Sequence, residues 1–193
     1  MQKEAGKSHS QQQQMMMMSW GRFAGMIAVS TALMFPLMYQ LVYSWDHVMF
    51  SSNRLVSALV MGSLMSFLMV AFMWSMFKPH GGKLAVLIGS LVLFVALLLV
   101  NRSQVLNSDV GFMSSMIPHH SIAINKAEKA KITDPRVRKL ADEIISSQVR
   151  EIAEMKLLIA DIKRNGSRGK TALQPVPATV TPDMQPKIRQ ALQ

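Results

Sequence analysis

Six side chains able to hold a soft or borderline metal ion fall in two short stretches of this chain. In FMSSMIPHHSIAI, residues 112 to 124, Met113 and Met116 precede the adjacent pair His119 and His120. In SQVREIAEM, residues 147 to 155, the candidates are Glu151 and Met155. Thioether sulfur is soft and selects Cu(I), whereas imidazole accepts copper in either state and also zinc or nickel. Methionine and histidine together, with no cysteine anywhere in 193 residues, point first to a copper ion. The absence of cysteine excludes disulfides, thiolate sites and thiol catalysis. A di-iron bundle needs Glu-x-x-His pairs, and the chain has none. Ser114, Ser115 and Ser121 lie near the histidines, but helical neighbours make a poor nucleophile relay.

On a helix, Met113, Met116, His119 and His120 are separated by steps of three and four, which place them on one broad face. His119 and His120 themselves lie about 100° apart around the axis, so one ion takes both only with distortion. Pro118 removes a backbone hydrogen bond beside them and can open the turn. The second stretch belongs to an amphipathic stripe, Val137, Ala141, Ile144, Met155, Leu158 and Ile162, and Gln148 and Glu151 fall inside it. A buried carboxylate is costly unless it is paired, ligated or protonated. Glu151 therefore either has a partner across the hairpin, for which His119 and His120 are the candidates, or lies at a wet edge. Against the metal reading stands the ordinary use of methionine as adaptable core packing.

The elements that must carry these residues begin with three apolar stretches, Phe23–Tyr43, Leu55–Phe77 and Leu84–Val100. Each meets or approaches the roughly 20 residues needed to cross a bilayer. Half of the chain is hydrophobic and its mean hydropathy is +0.22, the excess lying in the first half. Trp20, Tyr39, Tyr43, Trp45 and Trp74 stand near the ends of the stretches, where amphipathic rings favour the interface. The first stretch is longer than the apolar core of a signal peptide and no small-x-small cleavage site follows, so it reads as an uncleaved anchor. Lys3, Lys7 and Arg22 precede the first stretch, and Lys78 and Lys83 lie between the second and third. The positive-inside rule then puts the N-terminus in the cytoplasm and everything after Val100 outside, in the periplasm of a bacterium. The net charge of +10 thus sets topology and touches anionic lipid; no aromatic platform accompanies it for nucleic acid.

After the membrane, residues 106–131 and 135–163 read as two helices around the stop-and-start signal Thr133-Asp134-Pro135. The expected fold class is all-α: three transmembrane helices, then an extracytoplasmic antiparallel hairpin completed by a second copy into a four-helix bundle. The expected divisions are a disordered cytoplasmic N-terminus (1–22), a membrane region (23–100), the hairpin (103–163) and a flexible tail (164–193). Met61, Met65, Met69, Met73 and Met76 recur along the second stretch. They could pass Cu(I) along the span, although packing is the reading to prefer.

FMSSMIPHHSIAINKA (112–127) and DPRVRKLADEIISSQVREIAEM (134–155) together resemble the DUF305 family, a domain of unknown function with ferritin-like helical architecture. The resemblance implies periplasmic copper binding, carried over to Met116, His119, His120 and Met155, with Met113 beside them. One residue departs from the family pattern: Lys126 stands where a methionine is usual, and its charge would weaken a copper site close to it. The expected function is a non-enzymatic, membrane-anchored copper-binding protein of the bacterial inner membrane, for storage, buffering or hand-off to envelope copper proteins. The alternative is a structural or interaction module whose histidines only form hydrogen bonds.

Overall fold

The computed structural model describes residues 18–192, and among them all regular structure is helical. The chain forms two compact units. Among the described residues, one comprises those up to Gln40 together with Ser51–Asn107; the other joins Leu41–Phe50 to those from Ser108 onward. Residues 1–17, which include most of the expected cytoplasmic N-terminus, lie outside the described residues.

The first unit holds α1 (Trp20–Leu37), α2 (Ser52–Phe72) and α3 (His80–Ser103). All three are long and apolar enough to cross a membrane, with mean hydropathies of 1.2, 2.2 and 2.8. Serines start the first two: Ser19 Oγ accepts from Arg22 N–H and Ser51 Oγ from Arg54 N–H, each satisfying a donor that the first turn leaves open. α1 and α3 both pack on α2. A Cβ placed on Gly62 would lie 2.2 Å from Thr31 Oγ1, so glycine is what lets α1 and α2 approach this closely. Asn101 Nδ2 donates to Ser57 Oγ at 3.1 Å and ties α3 to α2. At one end Phe23, Val70 and Phe77 form a buried core, with Trp20 stacked on Phe77 at 4.9 Å between centroids.

The sequence carries apolar character on to Tyr43, but α1 ends at Leu37. The Arg54 guanidinium takes the Met38 carbonyl and lies over the Tyr39 ring at 4.2 Å. A carbonyl that another helical turn would have used is thereby satisfied from α2. The ten residues that follow, Leu41–Phe50, pack with the second unit.

That unit is built on α4 (Asp109–Lys129) and α5 (Pro135–Asn165). Ser108 Oγ accepts from Gly111 N–H at the start of α4, and Asp134 from Arg136 N–H at the start of α5. Gly166, at φ +80°, ends α5 in a backbone region open to glycine. The start falls where the Asp134-Pro135 signal predicts it, and the end lies two residues beyond the expected residue 163, at Asn165-Gly166. α4 stays helical through Pro118. The two helices share a core of Met113, Ile117, Ile124, Ile152 and Ile159. Beyond Gly166 the chain is not wholly irregular, in contrast to the expected flexible tail: Pro182–Met184 forms a 3-10 turn and α6 spans Gln185–Gln190. Pro182 and Pro186 preset the helical φ in the first turns.

Candidate functional site

The carboxylate in the apolar stripe has both a partner and access to water. His120 Nε2 lies 2.7 Å from Glu151 Oε2, joining α4 to α5 near the middle of both. The His120 side chain is 10% exposed and that of Glu151 35%, so the imidazole is inside and the carboxylate at a wet edge. His120 Nδ1 is 2.9 Å from the Met116 carbonyl. The Met116 carbonyl faces one ring nitrogen, and Nε2 is the nitrogen offered to Glu151. A bare imidazole lone pair would repel a carboxylate oxygen at this distance. An Nε2–H donating to the carboxylate accounts for the contact. Holding one ring nitrogen on a backbone carbonyl while the other faces a charged group is also the way metal-ligating histidines are oriented.

Glu151 collects further donors. Ser147 Oγ–H donates to Oε1 at 2.9 Å, and Gln148 Nε2–H reaches Oε2 at 3.4 Å. The Ser147 hydrogen bond, then the one from His120, holds the Glu151 carboxyl below the usual carboxylate range; burial opposes this. The group is therefore an anion across the physiological range.

The remaining predicted residues divide. Met113 is buried, and Met155 packs against the same core. Met116 is partly buried and contributes its carbonyl to His120. His119 is exposed, its ring centroid 6.0 Å from that of His120 and inclined by 65°, and it does not join the pair. Lys126 is exposed, one and a half turns beyond His120, so its charge stays in solvent. Among the described residues no group of three or more histidine or acidic side chains gathers as a metal site.

Beside His120 on α4, at Ser121, lies what sequence reasoning missed. Residues 41–50 form a strap on the helix pair. Tyr43 N–H donates to Ser121 Oγ at 2.8 Å, and His47 Nδ1 lies 3.0 Å from the same oxygen. Tyr43 Oη–H donates to Glu128 at 3.3 Å. Lys156 Nζ binds Asp46 Oδ2 at 2.6 Å, which fastens the strap to α5. Met49 packs against the core that holds Met113 and Met155. Burial pushes the His47 imidazole below the ordinary histidine range; Asp46, 3.7 Å away, opposes the shift and Lys156 adds to it. Neutral His47 then accepts the Ser121 hydroxyl proton at Nδ1. Ser121 is fully buried, so Asp46, His47 and Ser121 make a structural fastening and not an exposed nucleophile. His47-x-Met49 was the available signal, two chemically capable residues in a short loop between apolar stretches.

Residues 109–191 match the family described as a domain of unknown function, DUF305. The match starts with α4 and continues through α6, so it takes in the segment expected to be a tail. An uncharacterized protein of Acanthamoeba polyphaga mimivirus is 32% identical over 98 residues, which cover 49% of this chain and 64% of that one. No solved structure matches.

Proposed function

We propose that this chain is a membrane-anchored metal-binding protein of the bacterial inner membrane, with copper as the ion. α4 and α5 act as an antiparallel, ferritin-like hairpin on the periplasmic side, in storage, buffering or hand-off to envelope copper proteins. The observation that carries this reading is the His120–Glu151 pair. Its ring nitrogen and carboxylate oxygen, 2.7 Å apart, are a donor pair that a metal ion could take up, it lies at a wet edge, and Met113, Met116 and Met155 supply soft sulfur from the same two helices. The exposed face of α5 supports a second copy as partner. Val137, Ile144 and Leu158 are exposed, and with Glu151 they follow seven-residue steps, the spacing by which helices pair. The N-terminus is cytoplasmic in this proposal, and the spans contact membrane lipid.

The test is metal binding by the full chain in detergent or lipid nanodiscs. Cu(I) should bind under competition with a chelator, and His119→Ala with His120→Ala should abolish that binding. Undiminished binding in the double variant would sink the reading. A second reading has its own observation: both ring nitrogens of His120 are already engaged, and His119 stands apart. On that reading the pair is a structural cross-link of an interaction module, and the double variant loses stability with no metal dependence.

A further inference from the structure

α1 and α3 both pack on α2 and leave a groove between them, a cavity of about 780 Å³ within the first unit. Ala58 and Gly62 of α2 lie on its floor, Ala28 and Ala32 of α1 on one wall, and Leu93 and Leu97 of α3 on the other. Ser63 and Ser90 also line it, but their hydroxyls donate to the Val60 and Leu87 carbonyls of their own helices. The two ends differ. At one, Phe23 packs with Val70 and Phe77, and Val86 and Leu87 of α3 join the same core, so the three helices meet and close the groove. At the other lie Phe35 and Leu55, and Arg54 stands one turn before Ala58 on the face of α2 that carries Ala58 and Gly62.

We infer that this groove is a binding site for one anionic phospholipid, with an acyl chain along the groove and the headgroup phosphate at Arg54. Length supports a chain: from Ala24 to Phe35 the groove follows α1 for about 17 Å, and one leaflet of hydrocarbon is about 15 Å deep, half of the roughly 30 Å core. Volume excludes a span of a second copy, because a helix about 10 Å across fills about 1,300 Å³ over that length. Charge selects the headgroup. The Arg54 guanidinium takes the Met38 carbonyl and lies over the Tyr39 ring, and its planar fork has more N–H groups than that one carbonyl uses. Such a fork suits a phosphate, which it binds through paired charge-assisted hydrogen bonds. The chain's closed end at Phe23 and its cationic end at Arg54 set the direction in which the lipid lies. The inference needs α1, α2 and α3 in a bilayer and is independent of the metal reading.

The test is native mass spectrometry of the full chain released from nanodiscs of equal parts phosphatidylglycerol and phosphatidylcholine. The unaltered protein should retain one phosphatidylglycerol per chain. A28F/A32F puts two rings into the groove from exposed positions and should weaken retention at least tenfold. A24L/A28L is the milder filling, used if two rings disturb α1. V29F/L33F is the control: both residues are exposed and neither lines the groove, so the lipid should stay. R54Q should lose the preference for phosphatidylglycerol over phosphatidylcholine. A second readout is thermal unfolding in detergent, where added phosphatidylglycerol should raise the Tm of the unaltered protein and of V29F/L33F but not of the filled variants. Four results would each overturn the inference: no lipid on the unaltered chain, undiminished retention in both filled variants, an unchanged headgroup preference in R54Q, or a dimer that A28F/A32F dissociates, which would put a second copy in the groove. The metal reading fails separately, since Cu(I) binding that survives H119A/H120A leaves every lipid readout as it was.

Discussion

Replacing His120 by alanine isolates what the pair contributes to the second unit. The ring is 10% exposed, and its loss leaves a cavity beside Ile117 and Ile124. Truncating a buried side chain of that size costs about 2–4 kcal/mol, the hydrogen bond to a charged partner included. The Met116 carbonyl still accepts its own helical N–H, and Glu151 keeps Ser147 and Gln148 and its access to water. The loss is thus a cavity plus one charged bond, not a stranded buried charge. In a domain of fewer than 100 residues it corresponds to a fall in Tm of roughly 10–25 °C. Thermal proteolysis of the full chain, followed at sites in residues 108–165, separates this unit from the apolar helices. A double-mutant cycle with Glu151→Gln gives the decisive comparison: Glu151→Gln should destabilise the protein with His at 120 and do little with Ala there. If Glu151→Gln costs the same on both backgrounds, the two side chains are not coupled and the argument from the pair is wrong.

Ser121→Ala removes the oxygen shared by Tyr43 N–H and His47, leaving a part-buried donor without its acceptor at about 1–3 kcal/mol. Hydrogen exchange should then rise selectively in residues 41–50, and unchanged protection there would refute the strap. The docked strap holds His47 with a lowered pKa, so the released strap binds a proton that the docked one does not. Docking is at full strength above about pH 6.5 and weakens as pH falls below it, measurable as the same exchange rates between pH 7.5 and 5. Glu151 adds an acid-side loss: its pKa is lowered in the fold, so its contribution is present above the ordinary carboxylate range and disappears as pH falls through the folded value. In the first unit Gly62→Ala drives a methyl onto Thr31 Oγ1 and should lower the thermal stability of the detergent-solubilised protein, with recovery in the Gly62→Ala, Thr31→Ala double variant.

The helices were legible because their signals are local. Uncharged apolar runs, Asp134-Pro135 and Asn165-Gly166 each act within a few residues. The His120–Glu151 pair was legible for an energetic reason: a carboxylate inside an apolar stripe must be compensated, and the candidates were few. Periodicity could not choose between His119 and His120, since neighbours on a helix both remain near the same face; the Met116 carbonyl and the α5 contact select His120. The strap was not legible. Its contacts join residues 74 to 110 positions apart, and no periodic pattern records such separations. The same holds for the end of α1, fixed by the Arg54 guanidinium on the Met38 carbonyl, which an apolar run through Tyr43 conceals.

The strap also constrains the topology, by an argument independent of the positive-inside rule. Residues 41–50 and the α4–α5 pair form one unit, so they must share one side of any membrane the chain crosses. The chain between them, residues 51–107, therefore crosses an even number of times. It contains two helices apolar enough to span, α2 and α3, so both span or neither does. Both are long and apolar enough to span, with 18-residue stretches of mean hydropathy 2.2 and 2.8, and the prediction is that both do. A chain without cysteine allows a clean check with single substitutions. Cysteine at Ser44 and cysteine at Ser146 should react with a membrane-impermeant maleimide from the same side of sealed vesicles. Cysteine at His80, between α2 and α3, should react from the other. Labelling of Ser44→Cys and Ser146→Cys from opposite sides is incompatible with the Tyr43–Ser121 and Asp46–Lys156 contacts and would refute the strap and the two-crossing topology together.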